Sequence, residues 1–588
     1  MPRVVFVVFA AWLWATTAWT AAPPAPPLGQ LPGTLKPTAY RLELTIDPSA
    51  TEFSGHTEID VVLAQPARTI FLHGNELNVS KVLISAAGHA AMAAHYTQVD
   101  DSGVARLDLP TELPPGRVTF TFDYTAPFRS SADGLFHVQV DGNWYAWTQF
   151  EPIDARRMFP GFDEPGFKTP FTVTVTAPAS VKVFANSREV GATAPGKMRV
   201  HHFAPTPPLP TYLVALSVGP FDVIETSAPA NAVRKRPLPF RIIATKGQMP
   251  RMRFAAAEGP KLLDLLESYL KIPYPYEKLD FVGSPILDGA MENAALIIFD
   301  DSLLLLDPDA PSSQLRNFAE VVAHETAHQW FGDLVTPVWW NDLWLNESFA
   351  EWMGKKIGDQ WRPELGIAAT ELSETFGAMD ADSLGKGRPI RQPITQNTQI
   401  ASAFDSITYQ KGAQVVSMFE SYLGPDRFAQ GVHQYLERYR FGNATADDFF
   451  GALATSAGDP KIVPALRTFT DQTGVPLVTV SEGPQGLALS QARYRPLGVA
   501  AMPSQSWTIP LCFSRGSARS CQLLESPSST AKPIAGSDAL LPNANGAGYY
   551  RFRLNGADWD RRIRRPLLLW HSISLSRPPC NPARAHRS

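Results

Sequence analysis

The chain has 588 residues, 44% hydrophobic and 18% charged, a globular balance that excludes wholesale disorder and implies several domains at roughly 150 residues each. Lys and Arg number 52 against 56 Asp and Glu, for a formal charge of −4, which gives no field to draw in a polyanion, so nucleic acid is not an expected partner. Seven arginines and no acid stand in the last 28 residues; without these and Arg3 the charge is −12, so the main body is mildly acidic.

In chain order, one cation, Arg3, precedes an apolar run over 4–15 and small residues over 16–22, the order of a secretory signal. About twelve apolar residues fall short of the roughly twenty that cross a bilayer. Residues 1–22 are therefore read as a cleaved signal peptide, and the protein as exported, periplasmic or secreted, with no stable membrane anchor once the signal is removed. Residues 23–33 are Pro-rich and predict an extended spacer. Over 34–226 apolar residues alternate with period two, as in Leu42, Leu44 and Ile46, or Phe171, Val173 and Val175, which predicts an N-terminal antiparallel β-domain.

From Pro250 the period becomes helical, with Leu262, Leu263, Leu265, Leu266 and Leu270 at helical spacing, and 227–474 is expected to be a mostly helical domain. Thr445 with Asp448 three residues on predicts a capped helix start. Strand signals return over 477–480, 487–494, 507–513 and 549–554, so 475–560 is expected to be a small β-sandwich. Cys512 and Cys521 flank a hairpin-like turn; they either form a cross-strand disulfide in an oxidising compartment or remain free thiols. Residues 561–588 are Arg- and Pro-rich without periodicity and are expected to be disordered.

The chemistry concentrates in His324-Glu325-Thr326-Ala327-His328. Two histidines four apart on a helix stand one turn above each other and can reach one ion. Glu325 faces the same space without ligating, so its carboxylate is free to act as a base. Glu347, nineteen residues after His328, lies in a helical segment that can return antiparallel and supply a third ligand. Two histidines and a glutamate with an open fourth position describe a catalytic zinc site, one Zn2+ per chain. Glu351, one turn beyond Glu347, either orients a ligand from behind or lies on a solvated helix face, and the solvated face is the expectation.

With Gly289-Ala290-Met291-Glu292-Asn293 upstream, the run from His324 to Trp352 resembles the gluzincin aminopeptidases of the aminopeptidase N family. Thr148-Gln149-Phe150-Glu151-Pro152 and Tyr409-Gln410-Lys411-Gly412 match that family's motifs in the same order. The resemblance spans about residues 35 to 560 and implies a multidomain α+β protein whose catalytic domain over 227–474 is thermolysin-like. It also implies that Tyr409 donates to the developing oxyanion, and that Glu292 and Glu151 capture a substrate ammonium. Gln149, Gly289, Ala290, Met291 and Asn293 would complete the substrate-binding set. The expected activity is release of N-terminal amino acids from peptides with a free N-terminus. Asp288, just before the motif, either reaches the first side-chain pocket, where it would favour a basic residue, or faces solvent. Relatives continue into a large helical C-terminal domain for which 561–588 gives no signal, so that domain is expected to be missing. The competing reading is a truncated, impaired member that retains peptide binding. A thermolysin-type endopeptidase is opposed by Glu292 and Glu151, and a leukotriene-hydrolase-like enzyme by strand signals where that subgroup has helices.

Overall fold

The computed structural model describes residues 24–86, 90–194, 196–500 and 502–555. The signal segment, the Arg/Pro-rich tail and the last residues assigned to the β-sandwich lie outside the described residues.

Alternation in the first third produces its core. Leu42, Leu44, Phe120, Phe122, Phe171 and Val175 are all buried on one face of an eight-stranded sheet. The sheet is not wholly antiparallel: Leu35–Thr45 pairs in parallel with Phe171–Pro178, Leu42 opposite Val173. Between those strands the chain crosses a second, four-stranded sheet that includes Gly134–Val140 and Asn143–Gln149, and it re-enters the first sheet in its original direction. The Pro-rich spacer is no free tether. Leu31 is buried and its N–H donates to Glu164 Oε1, while the N–H of Asn397 donates to the Leu28 carbonyl at 2.7 Å.

The helical region contains a five-stranded sheet that period alone did not reveal. Its order is Asp222–Ala228, Leu238–Ala244, Leu279–Ser284, Leu296–Asp300 and the short edge strand Ala290–Met291. Leu279–Ser284 is buried at every position, so both faces are apolar and no alternation appears. A boundary at 226 would cut the first of these strands. Against the sheet packs the long helix Met249–Leu270, with Leu262, Leu263, Leu266 and Leu270 of the predicted set buried and Leu265 only partly so. The helix Ala446–Ala457 begins at the Thr445–Asp448 capping box.

Beyond it, Pro476–Gly483 pairs with Gly486–Arg493 and, in parallel, with Arg551–Asn555. Ile509–Arg515 and Ala518–Leu524 form a separate hairpin in which Cys512 lies opposite Cys521, and the two are joined by a disulfide. A groove of about 840 Å3 lies beside this unit, lined by Leu372, Phe376, Leu477, Tyr494 and Leu554 among others. No described helix is long and apolar enough to cross a membrane.

Candidate active site

Two helices build the site. Ser312–His328 carries His324 and His328, and Trp344–Trp361 carries Glu347 and Glu351. In each helix the pair is one turn apart and shares a face. The helices run antiparallel, so His328 meets Glu347 while His324 spans Glu347 and Glu351. Close approach requires glycine at 354, where a methyl group would lie 2.8 Å from the Glu320 carbonyl oxygen.

The Nε2 atoms of His324 and His328 are 3.0 Å apart and lie 3.5 and 3.4 Å from Glu347 Oε2. Donors bound tetrahedrally at about 2.0–2.1 Å stand about 3.3 Å from one another, so this trio has the spacing and the donor chemistry for one shared zinc ion. The N–H at His328 Nδ1 donates to the Phe331 carbonyl at 2.9 Å, which turns the Nε2 lone pair toward the shared point. His324 Nδ1 faces Glu351 Oε2 at 3.4 Å. Glu351 is thus not on a solvated face: its side chain is 16% exposed and its other oxygen lies 2.8 Å from Lys355 Nζ. The face it shares with Glu347 is covered by the histidine helix.

Glu325 is buried, with Oε2 lacking a hydrogen-bond partner. Burial pushes its carboxyl up to about 7 against the opposing pull of His324 and His328. Glu347 goes the other way: burial is outweighed by both histidines, which hold it down at about 2.

At the His328 end, Glu151, Glu292 and Glu347 offer oxygens all within 4.8 Å of one another. Glu292 follows the edge strand Ala290–Met291, and its Oε1, 3.7 Å from His328 Nδ1, has no hydrogen-bond partner. Glu151 follows Asn143–Gln149 and also has an unpartnered oxygen. Burial, then the charges of Glu292 and Glu347, raise Glu151 well above the ordinary carboxylate range, and burial raises Glu292 too. Buried Glu292 and half-buried Glu151, mutually repelling and each with a vacant acceptor, make a cradle for a cationic group.

Tyr409 lies over His324, with ring centroids 6.2 Å apart and planes at 16°. It sits in a short π-helical turn, Ile407–Lys411, pinned by Ser348 Oγ donating to the Thr408 carbonyl at 2.6 Å and by buried Lys411 paired with Asp382 at 2.9 Å. The turn's closing Gly412 packs on Ser348, whose Oγ would lie 1.9 Å from an added methyl group. Burial, then Glu347, raise the phenol far above its ordinary value, so it remains neutral.

The three zinc-type donors, Glu325, Glu351, Glu151, Glu292 and Tyr409 line one cleft of about 360 Å3, together with Gly289 and Ala290. Gly289 adopts φ +81°, a left-handed conformation that glycine takes without strain. Gln149, Met291 and Asn293 do not line it. Met291 and Asn293 are buried in the core behind Glu292, because side chains alternate along the edge strand, and the Gln149 amide lies 3.5 Å from Met291 Sδ. Asp288 is exposed at the rim. Missed from sequence were Glu320, Lys355 and Glu374, which line the end of the cleft near His324. Counting one turn back from His324 and one turn on from Glu351 would have found the first two.

Two family profiles match the chain, the peptidase family M1 N-terminal domain over residues 36–213 and the peptidase family M1 domain over 254–471. Aminopeptidase M1-D of Oryza sativa subsp. japonica is 34% identical over 82% of this chain and 55% of its own length. Aminopeptidase M1 of Arabidopsis thaliana is 32% identical over 85% and 57%, and probable aminopeptidase 1 of Sulfurisphaera tokodaii 34% over 71% and 52%. The chain spans about half the length of the curated relatives it matches. Both profiles fall in chain order, and the second contains the two histidines, Glu347 and Tyr409 that converge on one cleft, so this chain belongs to peptidase family M1.

Proposed function

We propose that the chain is a zinc metallo-aminopeptidase that removes the first residue from peptides with a free N-terminus. One observation carries this reading: the three zinc-type donors and the vacant carboxyl cradle of Glu151 and Glu292 share one cleft of about 360 Å3. His324, His328 and Glu347 would hold the zinc, which when bound supplies Lewis acidity, acidifying water and polarising the scissile carbonyl.

Glu292 and Glu151 bind the substrate ammonium, whose charge offsets their mutual repulsion and favours their ionised forms. A peptide interior brings no such charge and leaves buried carboxyls unpaired, which rejects internal sites. Glu325 takes the proton of the attacking water and delivers it to the leaving amine. Neutral Tyr409 donates its O–H to the oxygen that gathers charge as the carbonyl becomes tetrahedral. Asp288 at the rim beside Gly289 favours a basic first residue. Support for an exported protein comes from the Cys512–Cys521 disulfide, which belongs in an oxidising compartment.

A remnant that binds peptides without cleaving them is disfavoured by the full complement of side chains in the cleft. The test is zinc content and Leu-p-nitroanilide turnover of the purified chain beside Glu325→Gln. About one zinc per chain and turnover that depends on Glu325 are expected. A wild-type rate no higher than the variant's would establish the remnant instead.

A further inference from the structure

The cleft continues past the metal donors. From His324 the histidine helix leads one turn back to Glu320, about 6 Å along its axis, and from Glu351 the partner helix leads one turn on to Lys355. These residues and Glu374 close the end of the cleft opposite Glu292, which lies at the His328 end. The vacant Oε1 of Glu292, whose residue is 3% exposed, fixes which end takes the ammonium. A peptide anchored there must run past His324 toward Glu320, so its second side chain arrives at that end.

The chemistry of that end is acidic. Eight carboxylates line the whole cleft against a single Lys or Arg, Lys355. That cation is already committed, with Glu351 at 2.8 Å and Glu374 on its other side. Glu320 therefore keeps a buried Oε1 with no hydrogen-bond partner.

We propose that Glu320, assisted by Glu374, determines specificity at the second residue of the substrate by receiving a lysine or arginine side chain, so that peptides of the form X-Lys and X-Arg are the preferred substrates. This rests on the aminopeptidase reading and adds to it the residue on the far side of the scissile bond. The long alkyl stem of lysine or arginine lies along Val321 and Gly354, and the cationic head supplies the partner that Glu320 lacks.

The test compares Ala-Lys-Tyr, Ala-acetyllysine-Tyr and Ala-Leu-Tyr with the zinc-loaded protein at pH 8, following the dipeptide left after alanine is released. Burial pushes Glu320 up to about 7, so it is ionised in this assay. Acetylation removes the charge and keeps the stem, and a roughly tenfold higher kcat/KM for the free lysine is expected, as for one charge-assisted hydrogen bond. In Glu320→Gln the ratio should fall to within about twofold. Equal rates on the lysine and acetyllysine peptides in the wild type overturn the proposal without any variant, and a ratio that persists in Glu320→Gln overturns the assignment to Glu320. Alanine released from all three at equal rates leaves the aminopeptidase reading intact; none released from any of them refutes that reading and this proposal together.

Discussion

Replacing Glu292 by Gln keeps the shape of the cradle and removes its charge. In the wild type, Glu151, Glu292 and Glu347 crowd their oxygens within 4.8 Å, and burial with mutual repulsion raises the Glu151 carboxyl well above the ordinary carboxylate range. The variant loses one charged hydrogen bond to the substrate ammonium, which costs about 1.5–3 kcal/mol. It also relieves Glu151 of its nearest repulsive partner, so Glu151 ionises more readily and compensates in part. The expected loss in kcat/KM for Ala-p-nitroanilide is therefore about 10- to 150-fold. Because Glu292 Oε1 also stands 3.7 Å from His328 Nδ1, zinc content must be measured on the same preparation. A second readout separates binding from damage: an N-acetylated alanyl substrate brings no ammonium, and its slow hydrolysis should change less than threefold, because the interaction lost was never made. A loss below about threefold on the free substrate, with zinc retained, would refute the cradle as the device that reads the chain end.

Glu351→Ala should weaken zinc binding about 10- to 100-fold through loss of the carboxylate behind His324; chelator competition measures it, and an unchanged affinity would reduce Glu351 to a partner of Lys355. Gly354→Ala should cost roughly 1–3 kcal/mol, since the added methyl meets the backbone of the facing helix rather than a movable side chain; a melting temperature unaltered within a degree would show that the helices can part freely. The rate should fall on the acid side as Glu325 takes up a proton. Burial raises that carboxyl to about 7, and a cation on the neighbouring histidines lowers it, so the limb in kcat/KM should lie at or below pH 7; a limb above about pH 7.5 that persists in Glu325→Asp would assign it to another group. Arg-p-nitroanilide should be cleaved faster than its Ala and Leu counterparts if Asp288 reaches the first pocket, and equal or slower cleavage dismisses that role.

Periodicity made the first third legible because its large sheet has one apolar face, and residues such as Phe120 and Phe122 announce it. The same method passed over the sheet of the catalytic region, where strands like Leu279–Ser284 are covered on both sides and read as featureless apolar runs. Helical spacing put His324 and His328 on one face, since the rule i, i+4 is geometric, and Glu347 faces them from the returning helix. It misjudged Glu351, because a spacing does not tell which face another helix will cover. The parallel pairing of the first strand with Phe171–Pro178 was equally out of reach, being a property of the route the chain takes over a hundred residues. Glu151 and Tyr409 came from motif resemblance alone; they converge on the donors from distant elements, and no local pattern marks a residue that functions only by long-range contact.

The cradle is assembled from two parts of the chain: Glu151 arrives from the β-rich first part, whereas Glu292 and every zinc donor belong to the region that follows. Hydrolytic power thus resides in the second region alone, whereas the counting of one residue from the terminus needs both regions, joined by an interface. Warming that loosens this interface before either unit melts should first blur the distinction between a terminus and an interior bond, and only afterwards extinguish cleavage.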